Sequence, residues 1–174
     1  MTNRKVLDAM LDNLIASIAE VLEPKGFERR GKVVRGISDG SAKIIEFQKS
    51  DKSSDNLVLF TINVGIVCGD LLDAGDVDVK KSTIVDAHLR CRLGMLSDTP
   101  GDAWWELTAA SDWSSLAREL SVLLVAKAVP FLEKYARTEL LIALWESGRS
   151  PGLTNVQRSR FLSELKSKKR GVSH

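Results

Sequence analysis

Between Leu57 and Cys68 the chain alternates with a period of two: Val58, Phe60, Ile62, Val64 and Ile66 are apolar, and Thr61, Asn63 and Gly65 lie between them. Helical apolar positions recur every three to four residues, so this periodicity fits a strand with one face in a core. The flanking stretches extend it into a sheet. Residues 28–37 and 42–50 read as two further strands joined at Asp39-Gly40, a tight hairpin signal. A two-residue turn there sets Val34 opposite Ile45, which suits the core, but also Val33 opposite Glu46, so the register of the first strand stays open. Ile45 and Phe47 join the apolar face, while Glu46 and Gln48 point away. Residues 51–56 form a polar turn.

The segment HLRCRLGML, His88 to Leu96, reads as a fourth strand. It sends Leu89, Cys91 and Leu93 inward and sets His88, Arg90 and Arg92 in an outward row, roughly 7 Å apart. Trp104-Trp105-Glu106-Leu107 predicts a short fifth strand after a turn at residues 98–101. The acidic segment 69–86 is a crossover, with a short helix expected near residues 71–74.

The remainder is helical. Val6, Met10, Leu14, Ile18, Val21 and Leu22 share one stripe, widened by Leu7, Leu11 and Ile15, which predicts a helix over 3–23. Pro24 disfavours the α region for Glu23 and ends it. Ser111 or Asp112 caps a helix carrying Leu116, Leu120, Leu123, Leu124 and Val125, and Pro130 kinks or restarts it. Leu140, Leu141, Leu144 and Trp145 continue the pattern to Gly148. Thr154 and Gln157 form a capping box for a last helix to about 168. Helix, antiparallel meander and helices in that order define an α+β fold: an antiparallel sheet of four or five strands with helices packed on one face. At 174 residues the chain suits one core, assigned to residues 1–152, with a C-terminal helix and basic tail at 153–174.

Composition excludes more than it assigns. A net charge of +2 is too small to argue for nucleic acid, although Arg158, Arg160, Lys166, Lys168, Lys169 and Arg170 concentrate positive charge in the last helix. Early apolar residues are interleaved with Asp8, Asp12 and Glu20, unlike a secretion signal, and no run approaches a membrane span, so a cytoplasmic protein is expected. Cys68 and Cys91 fall on the apolar parity of their strands and read as buried thiols. With His174 terminal, one internal histidine and two core-facing cysteines supply no zinc site, the acidic segment lacks a calcium-loop pattern, and no metal or cofactor is expected.

Strand parity places Glu46, Gln48, Thr61, Asn63, His88, Arg90 and Arg92 on one sheet face. Amides and guanidiniums offer directional hydrogen bonds, and paired guanidiniums grip carboxylates or phosphates. Of Trp104 and Trp105, one should be core and the other a wall or stacking partner for the arginines. The plainest alternative is a structural network in which Glu46 neutralises Arg90 or Arg92. Functionally, the face suggests a non-enzymatic binding module for an acidic protein partner or small anion. One alternative is an enzyme acting on a phosphorylated or carboxylated small molecule with His88 as acid/base. The other is a nucleic-acid accessory protein using the basic tail.

Several motifs carry a resemblance: Gly26-Phe27, IEFQKS from Ile45 to Ser50, FTINVGI from Phe60 to Ile66, HLRCRLG from His88 to Gly94, and WWEL from Trp104 to Leu107. In that order, over most of residues 5–135, they resemble the bacterial family known as domain of unknown function 4304. The resemblance implies a bacterial, cytosolic, single-domain protein and transfers no activity. Its recurring residues correspond to Gln48, Asn63, Gly65, His88, Arg90, Arg92, Gly94, Trp104 and Trp105, which overlap the polar face.

Overall fold

The computed structural model describes residues 2–171. Helix α1 (Asn3–Leu22) buries Leu7, Leu11, Leu14, Ile15, Ile18 and Leu22, so the buried face is centred on the widening residues of the predicted stripe, while Val6 and Val21 stay exposed and Met10 is half-buried. The first strand-like run divides in two: β1 (Phe27–Arg30) and β2 (Val33–Ser38) are separate antiparallel strands joined through Gly31 and Lys32. With β3 (Ser41–Lys49), β4 (Val58–Val67), β5 (Leu89–Arg92) and β6 (Trp105–Leu107), the sheet has six strands. The order is β1-β2-β3-β4-β5, with β6 pairing the start of β4. Val34 lies opposite Ile45 and Val33 opposite Glu46, the register of a two-residue Asp39-Gly40 turn.

After β6, Asp112 caps α2 (Trp113–Leu123) by accepting the Ser115 N–H. Pro130 has no N–H to donate back along the helix, and its ring clashes with the carbonyl four residues earlier. The chain absorbs this with a π turn over Leu124–Ala128 and continues as α3 (Val129–Tyr135). Helices α4 (Thr138–Glu146) and α5 (Asn155–Gly171) follow, the latter opening on the reciprocal Thr154–Gln157 box. The helices pack on the face carrying Phe47, Val58, Phe60, Ile62, Val64 and Ile66, and Leu165 of α5 enters the same core. Lys43 points into this side too. Only 3% exposed, it reaches Glu133 at 2.9 Å and lies over the Phe27 ring.

The opposite face is only partly open. The crossover forms 3-10 turns at Gly69–Leu71, Val79–Lys81 and Ile84–Asp86, in place of the expected helix near 71–74. It packs Ile84, with Leu72, Val79 and Ala87, on Ala42, Ile44 and Val67. Gly65 makes this possible, since a Cβ there would meet Ile84 Cδ1 at 2.7 Å and the Leu89 carbonyl at 2.9 Å. β5 also stops short of the expected strand, because Leu93–Leu96 turns into a 3-10 helix.

A polar sheet face as the candidate functional site

β3, β4 and β5 set Glu46 opposite Asn63 and Asn63 opposite Arg92, with Gln48 beside Thr61 and Arg90 beside Gly65. Period-two parity carries all of these to the face away from α1. Asn63 Nδ2 donates to Gln48 Oε1 at 2.9 Å, which orients both amides. Thr61 is fully buried and donates to the Ala103 carbonyl at 2.7 Å. Glu46 does not neutralise either arginine. Its Oε2 accepts the Ile84 N–H at 2.9 Å and so pins the crossover to the sheet.

The partner of Arg92 is Asp102, a residue sequence reasoning missed. Arg92 Nη1 donates to Asp102 Oδ2 at 2.6 Å, and Trp104 Nε1 donates to the same oxygen at 3.2 Å. The Trp104 ring lies on the guanidinium, 4.8 Å from its carbon. The hydrogen bond from Arg92, then that from Trp104, holds the Asp102 carboxyl below its usual range. Asp102 adjoins the turn at residues 98–101, and only the fold of that turn brings it to Arg92. Trp105 points the other way and packs on Phe60, with ring centroids 6.0 Å apart. It belongs to the core and leaves the face. Arg90 is exposed and, among the described residues, makes no ion pair or hydrogen bond through its side chain.

His88 does not join the arginine row. Its backbone N–H bonds the Ile66 carbonyl at 2.9 Å, after which the side chain takes over the ladder: Nδ1 accepts the Cys68 N–H at 3.0 Å. The ring meets Phe161 of α5 edge-on at 5.1 Å. Burial, the largest effect, pushes the imidazole pKa down, offset by Glu164, Asp76 and Asp86 and reinforced by Lys168. An imidazole in this position is neutral and hydrogen-bonded to the backbone. It closes the end of β4 beneath α5.

Burial raises the Cys68 thiol and pushes Cys91 up to about 12, so neither is poised as a thiolate. Among the described residues no three His, Cys, Asp or Glu side chains group as a metal site requires, and no helix is long and apolar enough to cross a membrane. In the basic helix, Lys166 pairs with Glu146 at 2.7 Å, and Lys168 bonds Asp73 and the Asp70 carbonyl. His174 lies outside the described residues.

These features define an α+β domain with an antiparallel sheet, one face packed by helices and the other presenting an ordered patch of amides, arginines and an indole. The chain belongs to the family described as Domain of unknown function (DUF4304), whose profile matches residues 18–134. The match ends in α3, so α4 and α5, including the helix that covers His88, lie beyond it. Comparison with curated proteins and with solved structures finds no match to either.

Proposed function

We propose that this protein is a non-enzymatic binding module whose sheet face, formed by Gln48, Asn63, Arg90, Arg92 and Trp104, holds an acidic segment of a partner protein. The observation that carries the reading is the contrast between Arg90 and its neighbours. Arg90 is exposed and, among the described residues, unpaired, while the groups beside it are already held in place by one another. Arg92 engages Asp102 through Nη1, and among the described residues its Nε and Nη2 donors have no hydrogen-bond partner, which leaves them for an incoming carboxylate. Ordered side chains lose little entropy on binding, which favours recognition at a pre-set surface. The patch lines none of five surface clefts with volumes from 310 to 590 Å³, so the occupant proposed is a macromolecular segment, which needs no enclosed cavity, rather than a small anion. The enzyme reading asks for a cleft at His88, and that ring is engaged by Cys68 and Phe161.

The test is quantitative affinity capture with three baits: the wild type, Arg90→Glu, and Lys25→Glu as a charge-matched control on an exposed residue far along the chain. The expected result is a partner retained by the wild type and the control, lost with Arg90→Glu, and weakened by added salt. Retention that ignores Arg90→Glu would overturn the assignment. A small phosphate or carboxylate that raises the melting temperature of the wild type but not of His88→Ala would favour the enzyme reading instead.

A further inference from the structure

A second surface, lined by other residues than the sheet face, has the make-up of a ligand site. Between the Leu93–Leu96 turn and helices α3 and α4 lies a cleft of about 590 Å³, within the ~300–1,000 Å³ typical of small-molecule sites. Phe131 and Tyr135 from α3 and Leu140 and Leu144 from α4 form its walls with Met95 and Leu96. Each helical pair is spaced four residues apart and therefore shares one helix face. Met95 remains 46% exposed, a large apolar side chain left facing water in the cleft.

The polar groups in the lining are unbalanced. Lys134 and Arg149 line the cleft, and no acidic side chain does. Among the described residues neither cation has an ion pair. The Lys134 ammonium lies over the ring of Tyr135 at 5.2 Å, whereas Lys127, one element earlier, is paired with Asp98. The Tyr135 hydroxyl has no hydrogen-bond partner there either. Phe131 and Tyr135 already meet edge-on, with centroids 5.0 Å apart at 68°. Apart from Ser147, whose hydroxyl donates to the Leu144 carbonyl, the rest of the wall is aliphatic and includes a conformationally adaptable methionine.

We propose that this cleft binds an unbranched acyl chain ending in a carboxylate, with the chain along Met95, Leu96, Leu140 and Leu144 and the head group at Lys134 and Arg149. Arg149 suits a carboxylate because its planar fork can bond both oxygens. The apolar body would cover Met95 and the two leucines, and burial of each methylene adds to affinity. The cleft shares no lining residue with the Arg90 face, so either proposal can fail without the other.

The experiment is calorimetric titration of the full chain with decanoate below its self-association range, with octanoate, decanol and phenylpropionate as comparators. Saturable decanoate binding is expected. Octanoate should be weaker by roughly threefold or more per methylene lost, and the Lys134→Ala/Arg149→Ala double variant should lose at least about tenfold. Ala143→Phe fills the cleft from an exposed position on α4, so it should fold normally by circular dichroism and lose binding. Undiminished decanoate binding in folded Ala143→Phe would overturn the proposal. So would equal affinity for decanol, which removes the carboxylate's role, or tighter binding of phenylpropionate, which replaces the acyl chain by an aromatic acid. Sedimentation runs alongside: a dimer abolished by Ala143→Phe would assign the cleft to a second copy of the chain and overturn the ligand reading.

Discussion

Substitution of His88 isolates one hydrogen bond whose loss the structure makes measurable. Nδ1 of this imidazole is the acceptor for the Cys68 N–H at 3.0 Å, and Cys68 is 1% exposed, so no water replaces a missing acceptor easily. His88→Phe keeps an aromatic ring against Phe161 and removes the acceptor. Leaving one buried backbone donor unpaired costs about 1–3 kcal/mol. His88→Asn retains an acceptor near the Nδ1 position, gives up the ring contact with Phe161, and tests the bond separately from the packing. The pH dependence follows from the depressed pKa. At mildly acid pH the unfolded chain binds a proton that the folded imidazole resists, so stability rises with pH there. The contribution of His88 is complete above the unfolded value of about 6.5 and is lost as pH falls from there toward the lower folded value. Urea unfolding followed by tryptophan fluorescence, at neutral and mildly acid pH, measures both effects. A wild-type stability profile no steeper than that of His88→Asn over this window would refute the titration argument. A His88→Phe variant as stable as the wild type would refute the hydrogen-bond argument.

Other consequences are more local. Gly65→Ala places a methyl group against Ile84 and the Leu89 backbone, so chemical denaturation should show a loss of about 1–3 kcal/mol, with the crossover exchanging its amide protons faster. Glu133→Ala strands the buried Lys43 ammonium and should cost about 3–5 kcal/mol less a discount for the half-exposed carboxylate, whereas Lys43→Met should be close to neutral by the same melt. Both thiols should resist a thiol-specific disulfide reagent at pH 8 in the folded state and react fully once urea unfolds the chain; rapid native labelling of Cys91 would contradict its raised pKa. Arg90→Ala should leave the melting temperature nearly unchanged, because among the described residues its guanidinium makes no ion pair or hydrogen bond.

The framework of this protein is local information, and the sequence carries it. The alternation of Val58 to Ile66, the stripe on α1, the Asp39-Gly40 turn and the Thr154–Gln157 box each encode geometry within a few residues, where steric and hydrogen-bonding preferences act directly. They are enough to define the α+β class, the strand faces and the opposed roles of Trp104 and Trp105, while the β2–β3 register stays open until the structure pairs Val34 with Ile45. The tertiary structure decided the pairings between distant segments. Asp102 became the partner of Arg92, and Glu46 was drawn off to Ile84. His88 left the arginine row, its ring accepting the Cys68 N–H and packing edge-on against Phe161 of α5, some seventy residues later. Gly152 belongs to the same class: a Cβ there would fall 1.8 Å from the Arg90 carbonyl, so the loop before α5 can lie against β5. Parity says which way a side chain leaves its strand. Which partner satisfies its charge or buried donor depends on what the rest of the chain brings within about 3 Å, and desolvation makes that choice decisive.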